Sequence, residues 1–488
     1  MSRTSDFVDP QWTLRELTGH LASQALTSVR LVRFYLDRIE AVDRSGPTLR
    51  SVLYVNSKAL EEARILDEER RNGRIRGPLH GIPVLIKANI NTGDQMPTSA
   101  GSLALENFFP PEAPLVRRLR TAGAIILGKT NLSEWANFRS PHSSSGWSSA
   151  GGQTRNPYVL DRSPSGSSSG SAVALAANLC PLAIGTETDG SIVSPASANG
   201  IVGLKPTRGL VPAEGIVPIS HTQDTAGPMA RTVEDTARLL AVLSGWDASD
   251  LFAPGITDSL ASLRIGYAYN WARILPSVQQ VMERAVTTLE ALGAQVIPID
   301  LEASEAVAKA ESQVLLYEFK EDLEQYLRTQ GAPFTSLGEL IRYNLEHQDR
   351  VLPYFGQEIF LEAQTQGPKT EQLYREALDL CARFERDQGI GPAMATHRLD
   401  AIIGPSGGPA WKIDHLLGDH FLGGSAMLPA ISGYPHLSVP ADFIGELPVG
   451  LSIFGLPRSE ATLFRIGWSF EKARNIRRSP RFLPTDPE

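Results

Sequence analysis

The sequence predicts an α/β protein: a three-layer fold in which a mixed, largely parallel central sheet is covered by helices on both faces. Three observations predict it. Short apolar runs of strand length alternate with longer segments of helical periodicity along most of the chain. Some of those runs are apolar on both faces, as a sheet covered on both sides requires. The chain of 488 residues is 42% hydrophobic and 20% charged, which is enough apolar material for a large core.

Taken in order, residues 13–42 read as helices. Leu31, Phe34, Tyr35 and Ile39 fall on one face, and Thr27 with Ser28 forms an N-cap. "GIPVLIKANI" reads as a strand, with Ile82, Val84 and Ile86 on one side and Pro83 and Leu85 on the other. In "APLVRRLRTAGAIILGKTN" a helix stops at Gly123 and residues 124–127 form a buried strand. "SGSAVALAANL" followed by "CPLAIGTET" repeats helix then strand. Later strands are expected in "SLRIGYAY", "AQVIPIDL", "LDAIIGP" and "LPVGLSIFG", and later helices in "PSVQQVMERAVTTLEALG" and "SEATLFRIGWSFEKARN". Residues 303–395 break the alternation. They are charged, helix-prone and poor in strand patterns, and read as a helical insertion packed on the core over a site.

Composition narrows the function classes. The net charge is −8, and the longest basic run is Arg477-Arg478, so no nucleic-acid partner is expected. The two cysteines, Cys180 and Cys381, sit in apolar settings and read as buried free thiols, without a disulfide framework or a CxxC metal spacing. The opening "MSRTSDFVDPQWTLRELTGHL" lacks a basic segment followed by an apolar core, so no signal peptide is expected. The longest apolar candidate, "AVALAANLCPLAIG", is interrupted by Asn178 and Pro181, so no membrane partner is expected. A cytoplasmic location follows as the expectation.

"SPSGSSSGS" at 163–171 has the composition of a flexible linker. It runs directly into a small-residue apolar helix, however, where serines cap unsatisfied N–H groups. "GTETDGSIVSPAS" at 185–197 leaves the end of a buried strand, where α/β folds place chemistry. Its Gly190-Ser191 turn can converge N–H groups on one point, as a developing oxyanion needs; a simple β-turn is the competing reading. Lys87 ends a strand buried on both faces. There it either snorkels to water or is desolvated into a base. "GSSSG" at 166–170 matches the G-x-S-x-G elbow with Ser168 as nucleophile, and nine histidines could supply a base. That elbow needs a strand directly before it, and Pro164 stands there instead.

Together, "GIPVLIKANI", "SPSGSSSGSAVALAAN", "GTETDGSIVSPAS", "NGIVGLKPTRGLVP", "QDTAGPMARTVED", "SGYPHLSVP" and "LPVGLSIFG" resemble the amidase signature family over about residues 10–480. "HSSSGWSSAGGQTRNPY" and "YEFKEDLEQYL" look most like its peptide amidase branch. The resemblance implies a single domain over 1–488, with N-terminal helices in 1–75, the signature core in 76–235 and the insertion at 303–395. It also implies a Ser–Ser–Lys triad. The nucleophile falls on Ser191, the bridging serine on Ser167 and the lysine on Lys87, with a cis peptide bond between Gly166 and Ser167. The N–H groups of Thr188, Asp189, Gly190 and Ser191 are then the oxyanion donors.

The resemblance implies an amide hydrolase that forms an acyl-enzyme, releases ammonia from peptide C-terminal or other carboxamides, and needs no cofactor and no metal. A monomer or homodimer acting on a small-molecule or peptide amide is expected. The alternative is the glutaminase subunit of a tRNA-dependent amidotransferase, which needs partner subunits. The chain departs from the family's usual pattern at Ser165, Ser169, Glu187 and Asp189, and has Val193 and Ser194 where some members carry an arginine. The Asp189 carboxylate beside the oxyanion donors is expected to point away. Trp135, Asn137, residues 96–102, Asp224 and Trp411 are candidates for the pocket wall.

Overall fold

The computed structural model describes residues 8–252 and 258–486. The first seven residues, part of the segment from which the absence of a signal peptide was expected, lie outside the described residues. The strands in chain order are β1 (Val52–Val55), β2 (Pro83–Lys87), β3 (Ile125–Thr130), β4 (Trp147–Ser148), β5 (Gly152–Gln153) and β6 (Leu182–Glu187). They continue as β7 (Val202–Lys205), β8 (Thr225–Ala230), β9 (Arg264–Ala268), β10 (Gln295–Ile299), β11 (Ala401–Pro405), β12 (His436–Ile444) and β13 (Leu447–Phe454). Eleven of them form one sheet in the order β1-β3-β2-β6-β8-β7-β12-β13-β11-β9-β10, while β4 and β5 pair separately.

The sheet is mixed, as expected. Its parallel pairings fall in two groups, β3-β2-β6 and β11-β9-β10. Antiparallel pairings through β8, β7, β12 and β13 join the groups. Every residue of β2, β3, β6, β8, β11 and β13 is buried, so helices and loops cover both faces there. Pro83–Lys87 thus forms the doubly buried strand that its unbroken apolar run predicts.

The expected helices form as Leu14–Ala22, Ser28–Arg38, Pro114–Thr121, Ser169–Ala176, Pro276–Ala291 and Glu460–Arg474. Thr27 caps the second by accepting from the Arg30 N–H at 3.2 Å. That helix then widens into a π-helical turn, Ile39–Arg44. Four strands of the large sheet, β1, β7, β8 and β12, and the short pair β4 and β5 have no counterpart among the strands expected from sequence. In β8 the reason is local. Its sequence "TAGPMA" carries Gly227 and Pro228, which argue against a strand. Yet a Cβ at Gly227 would lie 2.0 Å from the Leu204 carbonyl oxygen, so close backbone approach requires glycine.

Residues 303–395 are helical, principally Glu305–Gln330, Leu337–Glu346, Glu358–Thr365 and Gln372–Gln388. Phe319, Leu323, Leu340 and Phe360 from this stretch form one apolar cluster with Leu105, Trp135 and Ile219. That cluster fixes the helices against the part of the chain that carries the serines. Cys180 and Cys381 are buried free thiols.

Candidate active site

The parallel pairing of β2 with β6 sets the geometry. It aligns Val84 with Leu182 and Ile86 with Ile184, so Lys87 comes level with the end of β6 and its side chain reaches Thr186. The Ser169–Ala176 helix packs on β2, β3 and β6 and brings its N-terminal serines to the same place. Lys87 Nζ donates to Ser167 Oγ at 2.7 Å, Thr186 Oγ1 at 2.9 Å, Ser168 Oγ at 3.0 Å and the Thr186 carbonyl at 3.2 Å. The Gly166–Ser167 peptide bond is cis. The serine-rich stretch is therefore an ordered, buried helix entry, and the linker reading fails.

Lys87 is fully buried and forms no ion pair among the described residues. Burial pulls its pKa down to about 7, against the opposing fields of Glu187 and Asp224. Its neighbours differ in how free their protons are. Ser168 Oγ donates to the Thr186 carbonyl at 3.0 Å and accepts from the Thr186 N–H, so its proton is committed. Ser167 Oγ has Lys87 as its one hydrogen-bond partner among the described residues. Of the two adjacent serines, Ser167 has the hydroxyl that can turn, and Ser168 does not fit the elbow role.

The segment after β6 carries Ser191. Glu187 turns back and accepts from the Ile192 N–H at 2.7 Å and the Val193 N–H at 3.0 Å. Burial raises its pKa, opposed first by Lys205. Gly190 adopts φ +75°, and a Cβ there would crowd Ser194 Oγ at 3.1 Å and the Ala426 Cβ at 3.2 Å. The Thr188 hydroxyl donates to Asp224, which also accepts from the Ile219 N–H at 2.8 Å and the Ser220 N–H at 3.0 Å. The Ser168 N–H donates to the Ser191 carbonyl at 3.0 Å, locking the two serine segments together. The N–H groups of Thr188, Asp189 and Ser191 have no acceptor among the described residues. That of Gly190 faces the Glu187 carboxylate.

Ser167 and Ser191 line the same cavity of about 400 Å³. Lys87 and Ser167 are in direct contact. The Ser191 hydroxyl makes no hydrogen bond to Ser167. Asp189 is among the residues that line the cavity, while the charges that act on its carboxyl, Glu187, Lys205 and Glu311, are not. Asp189 reaches solvent, yet the mass of protein around it and the nearby Glu187 raise its pKa above the usual carboxylate range, against the field of Lys205. The shift favours the neutral acid and lessens repulsion of a negative charge at the adjacent N–H groups.

Of the wall residues considered from sequence, Asn137 and Trp411 line the cavity, whereas Trp135, Asp224 and residues 96–102 do not. Trp135 packs edge-on against Phe360 with ring centroids 5.6 Å apart. Sequence reasoning missed much of the rest of the wall, including Phe138, Ile219, Leu315, Ile359, Asp419 and Phe421. Asp419 is held by the Ser145 N–H and by Trp411 Nε1 at 3.0 Å each. A larger cavity of about 920 Å³ opens elsewhere, among Leu14, Leu21, Pro78, Val242 and Trp246, remote from these serines.

A doubly covered mixed sheet, a buried lysine on a serine hydroxyl and an adjacent glycine-turned serine loop define a hydrolase-type site. The Amidase family model matches residues 30–464. The chain belongs to the amidase family and is an amide hydrolase. It is 38% identical to a probable amidase of Arabidopsis thaliana over 98% of this chain and 93% of that protein. It is 35% identical to a glutamyl-tRNA(Gln) amidotransferase subunit of Symbiobacterium thermophilum, over 92% of this chain and 93% of that one. Its fold matches the native peptide amidase of Stenotrophomonas maltophilia with a TM-score of 0.90 and 47% identity, over 97% of this chain and 99% of that one.

Proposed function

We propose that the protein hydrolyses carboxamides, including the C-terminal amide of peptides, with Ser191 as nucleophile, Ser167 as proton relay and Lys87 as base. The single observation that carries this reading is the 2.7 Å contact between a fully buried Lys87 and a Ser167 hydroxyl with no other partner among the described residues. A serine hydroxyl is a weak nucleophile until its proton is removed in the transition state. Lys87, lowered by burial to about 7 and so largely uncharged just above neutral pH, takes the Ser167 proton as Ser167 takes that of Ser191. Ser191 Oγ bonds to the amide carbon. The carbonyl oxygen becomes an oxyanion facing the N–H groups of Thr188, Asp189 and Ser191, with Gly190 at the turn that aims them. The proton returns through Ser167 to the leaving nitrogen, the C–N bond breaks and ammonia departs. Water then cleaves the acyl ester by the same relay.

A glutaminase subunit is the second reading, resting on likeness to the Symbiobacterium amidotransferase. The cavity lining favours the hydrolase. Its ionisable side chains are Asp189 and Asp419, with no lysine or arginine among the described lining residues to pair with the α-carboxylate of glutamine. The test is ammonia release by the purified chain, with gel filtration alongside. A monomer or homodimer active on peptide amides, inactive on glutamine, and silenced by Ser191→Ala is expected. Activity that survives Ser191→Ala, or that needs partner subunits and glutamine, overturns the reading.

A further inference from the structure

Behind the loop that carries Ser191, two buried polar side chains make contacts that the chemistry above does not use. Strand β8 pairs antiparallel with β6 and sets Thr225 opposite Glu187, so the residues just before β8 come up beside Thr188. Asp224 takes the Thr188 hydroxyl. Gln223 takes the carbonyl of the same residue: its Nε2 donates to the Thr188 oxygen at 3.3 Å and to Glu311 Oε1 at 2.9 Å. Glu311 stands on the long helix Glu305–Gln330 of the insertion. Both side chains are buried, and neither lines the serine cavity.

The Thr188 C=O and the Asp189 N–H belong to one planar trans peptide and point in opposite directions. A donor fixed on that carbonyl therefore fixes the aim of the N–H. It also draws charge toward the oxygen and makes the N–H a stronger donor. The Asp189 N–H has no acceptor among the described residues and is one of those assigned above to the oxyanion. Glu311 Oε1 occupies the second N–H of the Gln223 amide, which opposes a flip that would set the amide oxygen against the Thr188 oxygen. We propose that Gln223 is a positioning residue for acylation, holding the Thr188–Asp189 peptide so that its N–H aims at the oxyanion, and that Glu311 keeps the Gln223 amide turned that way. The inference rests on the amidase reading of this site and adds to it a link from the helical insertion.

The test uses Gln223→Met, which keeps the side-chain length without the donors, and the pair Gln223→Met with Glu311→Leu, which leaves no polar group stranded. Each is measured for kcat and KM on N-acetylphenylalaninamide, for inhibition by N-acetylphenylalaninal and N-acetylphenylalaninol, and for melting. Ser191 Oγ adds to the aldehyde carbon and its proton ends on the former carbonyl oxygen, which takes the place of the oxyanion. The alcohol has the same ring and cannot form that adduct. Gln223→Met is expected to lower kcat and weaken the aldehyde by a similar factor, about 10- to 100-fold, less than the 10²–10³ typical of removing a donor outright. KM and inhibition by the alcohol are expected to hold. The pair is expected to behave alike while melting as a folded protein, and Glu311→Gln, which keeps an acceptor oxygen, to retain most of the activity that the pair loses. Full kcat in Gln223→Met or in the folded pair overturns the inference. So does a fall in kcat with the aldehyde unaffected, or with aldehyde and alcohol weakened equally, as a merely structural role would give. An unaltered enzyme that neither releases ammonia from the amide nor binds the aldehyde counts instead against the reading of the site itself.

Discussion

Lys87 Nζ and Ser167 Oγ are 2.7 Å apart, both side chains are fully buried, and Ser167 has no competing partner among the described residues. That relationship makes activity depend on pH in a defined direction. Burial lowers the lysine from 10.5 to about 7, and the base form is the neutral amine. The value of kcat/KM should therefore be low where Lys87 is protonated, rise through about pH 7 and level off above it. A pH–rate profile checks this. Lys87→Ala should cost about 10²–10⁴-fold, the usual contribution of a positioned base.

Glu187 braces the nucleophile loop by accepting the Ile192 and Val193 N–H groups. Glu187→Ala removes both contacts and should destabilise the protein by about 1.5–3 kcal/mol while lowering kcat more than it raises KM. Glu187→Gln keeps one acceptor oxygen and should lie between. Thermal unfolding and steady-state kinetics on the same preparations read out both effects.

Arg139 and Glu134 form an ion pair at 2.8 Å, and each side chain is only 1% exposed. Arg139 also donates to the Val351 carbonyl at 2.8 Å, tying the wall segment around Asn137 to the helical stretch beyond. Arg139→Met strands a buried carboxylate and should cost about 3–5 kcal/mol, whereas pairing it with Glu134→Leu should recover much of the loss. A double-mutant cycle in denaturant measures the difference.

His221 Nδ1 lies 2.8 Å from Asp322 and 3.6 Å from Glu318, both on the long helix Glu305–Gln330. The hydrogen bond to Asp322 raises its pKa above 6.5, against desolvation. A raised histidine stabilises the fold fully below its ordinary pKa and loses that contribution as pH climbs through the raised value. His221→Gln should therefore lower the melting temperature on the acid side of neutrality and little on the alkaline side. Melting curves at two pH values check the sign. The effect is small, because the ring is half exposed.

The doubly apolar run before Lys87, the helix stop at Gly123 and the Ser169–Ala176 helix were legible because each depends on neighbours in sequence. Strand β8 was not. Gly227 sits in the strand because the Leu204 carbonyl of the neighbouring strand approaches too closely for a Cβ, a contact that no local pattern marks. The Lys87–Ser167 contact joins residues 80 positions apart, and only the motif resemblance anticipated it. The surroundings of Lys87 were not anticipated. Thr186 donates nothing recognisable to a sequence pattern, yet its hydroxyl and carbonyl both hold the lysine. Leu315, Ile359 and Phe421 reach the cavity from remote helices and loops, and no local signal marks them.

The acylation of Ser191 is open to one direct measurement. The enzyme is mixed with a slowly cleaved peptide amide, quenched in acid during turnover, digested and weighed by mass spectrometry. An acyl group on the peptide that carries Ser191, absent after Ser191→Ala, is the predicted result. An adduct on Ser168 or another residue, or turnover by the Ser191→Ala protein at the unaltered rate, would contradict the account.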